Sequence, residues 1–139
     1  YSAYNLIDSG AGTYYMYDMG GHNNPGFPKP LYRFEVRKDG FACWMADGEE
    51  RILVTKPLVF DGADLHLNFQ TSAAGYIYVD VLDENGESIP GATSYELFGD
   101  TLDRTVIFAD DSRFAKFKDK PIRLRFRMLD AKLYSLCFE

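Results

Sequence analysis

The sequence is poor in the features that would assign it quickly to a familiar class. It has no apolar run near the roughly 18 residues of a membrane helix, and no signal-peptide pattern. It lacks a basic excess: its 15 Lys and Arg against 21 Asp and Glu leave a formal charge of −6. A general nucleic-acid binder, which must displace phosphate counterions, is therefore not expected. Two cysteines, Cys43 and Cys137, are too few for a disulfide scaffold and too far apart for a zinc motif. Half-buried strand thiols are the simpler expectation for them, a bridge being open if the first and last core strands are neighbours. Histidine is confined to His22 and His66 and tryptophan to Trp44.

What is abundant is aromatic: eleven Phe and ten Tyr. Such residues favour strands, and at 139 residues one domain with a real core is expected. The chain begins at Tyr1, which suggests a fragment or processed product.

Alternation is clearest in the middle of the chain. Leu65, Leu67 and Phe69 alternate with His66, Asn68 and Gln70; after Thr71–Gly75, Ile77, Val79 and Val81 alternate with Tyr76, Tyr78 and Asp80. Near the end, Ile122, Leu124, Phe126 and Met128 alternate with Arg123, Arg125 and Arg127. A period of two with aliphatics on one side predicts strands with a buried inner face. Thr13–Met19 reads as a further strand. Residues 20–30, with three prolines, read as a linker that separates an N-terminal extension (1–30) from the main body (31–139). Pro57 predicts an edge position or a bulge, because proline cannot donate to a ladder. Asn85-Gly86 predicts a hairpin turn. Calcium is the other use of the acidic run Asp83–Glu87, but Gly86 comes too early for a calcium loop, and no cofactor is expected. Leu129-Asp130-Ala131 reads as another turn, and residues 113–118 as one helical turn or a pinned loop. Eight or nine short strands punctuated by turns predict an all-β fold, an antiparallel β-sandwich of jelly-roll type with little or no helix.

The stretches LYRFEVRKDGFACW, TKPLVFDG, LHLNFQTSAAGYIYVDVLDENGESIPG, FGDTLDR, KPIRLRFRM and AKLYSLCF occur in that order. Together they resemble the C-terminal β-sandwich that follows five-bladed propellers in bacterial proteins similar to family 32 glycoside hydrolases. The resemblance covers about Leu31 to Phe138, and departs from the pattern at Phe108, where tryptophan is usual, and at Trp44, where an aliphatic is usual. It implies a secreted, extracellular or cell-surface accessory module, with any catalytic carboxylates on the propeller.

The residues themselves offer little for independent catalysis. There is no nucleophile elbow, no histidine pair at metal spacing and no phosphate-cradling glycine loop. Cys43 with a histidine is better explained as a buried strand thiol and a surface imidazole. Asp80, Glu96, Asp100 and Asp103 are available as carboxyl pairs, but surface carboxylates at turns account for them better, since nothing in the sequence implies that any is desolvated. A sugar-binding face asks for less: rings to stack on, with amides, carboxylates and guanidinium groups for hydroxyls. If the three alternating segments share one sheet, their outer side gathers His66, Asn68, Gln70, Tyr76, Tyr78, Asp80, Arg123, Arg125 and Arg127 as a groove for an oligosaccharide or polysaccharide. Glycan binding on this side by a non-catalytic module is the preferred expectation; a structural interface covered by the propeller is the alternative, and ordinary solvated strand surface the third reading. Tyr14, Tyr15, Tyr17, His22, Phe27 and Trp44 form a second aromatic candidate, with core packing expected for Trp44.

Overall fold

The computed structural model describes residues 5–20, 29–109 and 114–139. These fall into two compact units, one ending at Phe41 and the other running from Ala42 to Glu139.

The first unit is a three-stranded antiparallel sheet of β1 (Ile7–Asp8), β2 (Thr13–Met19) and β3 (Leu31–Arg37), in the order β1-β2-β3. The strand expected at Thr13–Met19 is present. Its partner β3 pairs with it from Thr13↔Arg37 to Met19↔Leu31, so the segment starting at Leu31 belongs to this sheet and not to the main body. The guanidinium of Arg33 lies 4.6 Å from the Tyr15 ring centroid, and Tyr14 stacks on Phe41. Of the second aromatic candidate, His22 and Phe27 lie outside the described residues.

The second unit is the antiparallel β-sandwich, built around two long strands, β6 (Leu65–Asp83) and β9 (Ile122–Phe138). The first half of β6 pairs with the second half of β9, flanked by β8 (Asp100–Thr105) and β4 (Trp44–Ala46). The second half of β6 pairs with the first half of β9, flanked by β7 (Ser88–Thr93) and β5 (Arg51–Val54). The two halves meet at a corner where the register jumps from Thr71↔Ala131 to Tyr76↔Leu129. Strands that switch layers do so at bulges of this kind. The segments 71–75 and 129–131, which look like turns in the sequence, are therefore the facing sides of one bend in a continuous ribbon. Gly75 is buried there, where a Cβ would run into the carbonyl oxygen of Asp130 and, at 2.7 Å, that of Leu129. Asp130 takes a left-handed φ of 42°.

Across this corner both halves face one core. Leu65, Leu67, Phe69, Ile77, Val79, Val81, Leu124, Phe126 and Met128 are all buried in a single cluster, each contributing roughly 1.5–3 kcal/mol on an area basis. Phe60 stacks on Phe114 at 4.6 Å and on Phe138 at 4.5 Å, and Phe108 on Phe114 at 5.4 Å. Phe114 and Phe117 reach the core from a single 3₁₀ turn, Phe114–Phe117. Asp83–Glu87 is the expected hairpin turn: Gly86 has φ 92°, and Asp83 Oδ1 accepts from the amides of Asn85 and Glu87 at 2.9 Å each. Among the described residues β5 pairs with β9 alone. Its pairing resumes past Pro57 through Leu58 N–H to Ile122 O at 2.8 Å, as an edge proline requires.

Two expectations about single residues are corrected. Trp44 is 51% exposed: it lies on the three-residue strand β4, at the end of the strand order β4-β9-β6-β7, where less of the sheet is available to cover it. Cys43 and Cys137 are both exposed thiols rather than half-buried or bridged to each other.

Candidate functional site

The second half of β6 and the first half of β9 turn one outer face toward solvent. Its rungs follow from register: Ile52–Arg127–Tyr78 in one row and Val54–Arg125–Asp80–Thr93 in the next. Residues directly opposite in antiparallel strands share a face, so the three arginines and two tyrosines form one surface, as alternation implies. Asp80 is the exception to the polar-out pattern, being only 3% exposed. Arg125 Nε and Arg127 Nε donate to its Oδ2 at 2.9 and 3.0 Å, and Thr93 Oγ1 donates to Oδ1 at 2.7 Å. Burial pushes the Asp80 carboxyl up, but the bonds from Arg127, Thr93 and Arg125 outweigh it and hold the group below the usual carboxylate range.

Above this buried charge the aromatic groups are also engaged. The Tyr76 hydroxyl donates to Glu50 Oε2 and the Tyr78 hydroxyl to Glu96 Oε2, both at 2.7 Å. Each carboxylate favours the protonated phenol and raises its pKa. The two rings meet edge to face at 5.4 Å and 60°. The Arg127 guanidinium lies 5.0 Å from the Tyr78 ring centroid, within cation–π range. Arg123 donates to backbone oxygens instead, Nε to Glu84 at 3.0 Å. Beside these groups Ile52 and Val54 are 57% and 44% exposed.

The structure brings together six of the nine residues named from sequence: Tyr76, Tyr78, Asp80, Arg123, Arg125 and Arg127. His66, Asn68 and Gln70 lie on the other half of the ribbon. Because both halves bury their odd-numbered β6 residues in one core across the corner, their even-numbered faces look away from each other. A single nine-residue groove does not form. His66 Nδ1 is 2.6 Å from Asp103 Oδ1, and the thiol in register with His66 is that of Cys137. Asn68 is buried. Gln70 Oε1 accepts from the Tyr134 hydroxyl at 3.3 Å. Sequence reasoning missed Glu50 as a partner of Tyr76, since a contact across 26 residues from a turn has no periodic signal.

The depressions in the sandwich include two that bear on a ligand site. One, of about 530 Å³, opens at the corner and is lined by Met45, Asp47, Gln70, Ser72, Asp130 and Lys132 among others. The second, of about 430 Å³, is mainly apolar, between Trp44, Leu53, Leu133 and Leu136. Among the described residues no group of three or more His, Cys, Asp or Glu is placed to hold a metal ion.

No protein-family model, curated protein or solved structure matches this chain.

Proposed function

We propose that the chain is a non-catalytic accessory β-sandwich of a secreted carbohydrate-active protein, and that the Tyr76/Tyr78 face docks on a companion domain such as a propeller. The ordered stretches of the resemblance supply the context, those from TKPLVFDG onward lying in the sandwich. The observation that carries the docking role is the chemical state of the face. Both tyrosine hydroxyls and Asp80 already have partners within the sandwich, and Arg127 lies against Tyr78, while Ile52 and Val54 stand open in the same rows. A sugar needs open ring faces and uncommitted hydrogen-bonding groups. A protein surface is served by aliphatic area ringed by tyrosine and arginine. Hydroxyl-radical footprinting tests the proposal by comparing the isolated chain with the same chain joined to its companion domain. Labelling of Ile52, Tyr76 and Tyr78 is expected to fall severalfold in the joined protein; unchanged labelling would overturn docking through this face.

Glycan binding on the same face is the second reading, favoured by the partly exposed Tyr76 and Tyr78 and the carboxylates of Glu50 and Glu96 beside the two phenols. A polysaccharide bound by the isolated chain, and lost in Tyr76→Ala with Tyr78→Ala, would establish it. Retention in that double variant would remove it.

A further inference from the structure

The corner depression has the uncommitted polar chemistry that the tyrosine face lacks. Its floor is one outward rung of the first layer: Met45 and Gln70 both pair in register with Lys132. Asp47, Asp130 and Ser72, the last from the bulge of β6, also line it.

The setting of these groups is fixed by bonds beneath them. Tyr134 donates to Gln70 Oε1 at 3.3 Å, which orients the carboxamide and leaves its NH₂ as a donor. Gly48 N–H donates to Asp130 Oδ1 at 2.8 Å, holding that carboxylate beside the 47–50 turn. Thr71 Oγ1 is spent on the scaffold, accepting from Gly99 N–H and donating to Ser72 O, both at 2.9 Å. Left-handed backbone at a non-glycine residue, as at Asp130, and bulges in long strands concentrate at sites that hold something.

We propose that this depression binds a neutral polyhydroxylated ligand, a sugar ring of an oligosaccharide. A hydroxyl both donates and accepts, and the lining offers both functions: carboxylate oxygens of Asp47 and Asp130 as acceptors, the Gln70 amide and the Lys132 ammonium as donors. Two carboxylates against one ammonium repel a phosphate or a carboxylated sugar. Met45, 55% exposed on the floor, supplies a soft apolar wall for the C–H face of a ring. About 530 Å³ is within the range of small-ligand pockets. The proposal does not depend on the docking role of the Tyr76/Tyr78 face, which looks away from this one.

The test is an amide-resolved NMR titration of the full chain with maltotriose, cellotriose, mannotriose and galactotriose, repeated with calcium chloride. At least one trisaccharide is expected to shift the amides of residues 45–48, 70–72 and 130–132, with a Kd of about 1 mM, ordinary for a shallow sugar site. Asp47→Ala and Lys132→Ala, both at exposed positions, should each weaken binding about tenfold or more with amide dispersion unchanged. Tyr76→Phe should leave it unaltered. No shift with any of the four sugars at about 20 Kd, shifts confined to the Tyr76/Tyr78 face, or shifts at the corner with calcium alone would each overturn the proposal.

Discussion

The two ends of the β6–β9 ribbon share a core and a strand pair, yet their outer faces are finished differently. At the Tyr78 end a carboxylate is sunk under two guanidinium groups and the phenols are bonded to Glu50 and Glu96. At the Gln70 end the side chains line a depression, Lys132 and Asp47 among them exposed. The first face is rigidified by its own charges, because a buried polar network is stabilising only when every member is satisfied. The second keeps donors and acceptors turned outward. Identical backbone pairing thus supports a closed surface and an open one. The corner between them decides which residues go where.

Breaking the corner is expected to have the largest effect. Gly75→Ala places a methyl against the carbonyl oxygens of Asp130 and Leu129, which are backbone atoms and cannot swing away. Overpacking of this kind costs about 3 kcal/mol, measurable by urea denaturation. The two faces should suffer together: the amides of 70–72 and of 76–78 should both lose hydrogen-exchange protection. Loss confined to one end would mean that the ends are independent, and the comparison would fail.

Removing the charge of the closed end comes next. Asp80→Asn leaves Arg125 and Arg127 without their shared partner. Breaking a buried pair costs several kcal/mol, but the arginines are about one-third exposed, so about 2 kcal/mol is expected after screening. The pH dependence has a definite sign. The folded Asp80 carboxyl is held below its ordinary range. Its contribution is therefore complete above the unfolded value of about 3.9, and is lost as pH falls through the lower folded value. Denaturation midpoints measured from pH 5 down to pH 2 should show a shallower acid limb in Asp80→Asn than in the parent chain. Asp61 and Asp83, also held low by their partners, keep the remainder of the slope. Equal slopes would show that Asp80 is not ionised as its bonds imply.

Much of the sandwich was legible because burial imposes a period of two. Leu65 to Val81 and Ile122 to Met128 point inward as alternation predicts. The corner was not legible, since Thr71–Gly75 and Leu129–Ala131 have the small and polar residues of turns while forming a bend inside continuous strands. That one misassignment divides the predicted site: parity identifies which side of a strand is wet, but not which wet sides face the same way. Asp80 shows a second limit. Alternation puts it outside, and only the pairing with Arg125 and Arg127 from the other long strand buries it. Glu50 gave no signal, as its partner is fixed by tertiary folding alone.

The finest distinction between the faces lies in single hydroxyls. Tyr76→Phe and Tyr78→Phe each remove a hydrogen bond to a solvent-accessible carboxylate, and each should lower the denaturation midpoint only slightly. Lys132→Ala, at the open end, should stay within about 0.5 kcal/mol. Phenol titration followed by ultraviolet absorbance separates bonding from packing. The Glu50 and Glu96 carboxylates raise the folded phenol pKa values above the ordinary tyrosine value. The stabilisation from these bonds is therefore intact below the unfolded value of about 10 and fades as pH rises through the folded ones. Glu50→Gln removes the carboxylate charge while keeping an oxygen acceptor, so it should bring the ionisation of Tyr76 to lower pH and leave Tyr78 with its late transition. If both phenols ionise together in Glu50→Gln, the bonds are not formed in solution, and the closed end is no more closed than the other.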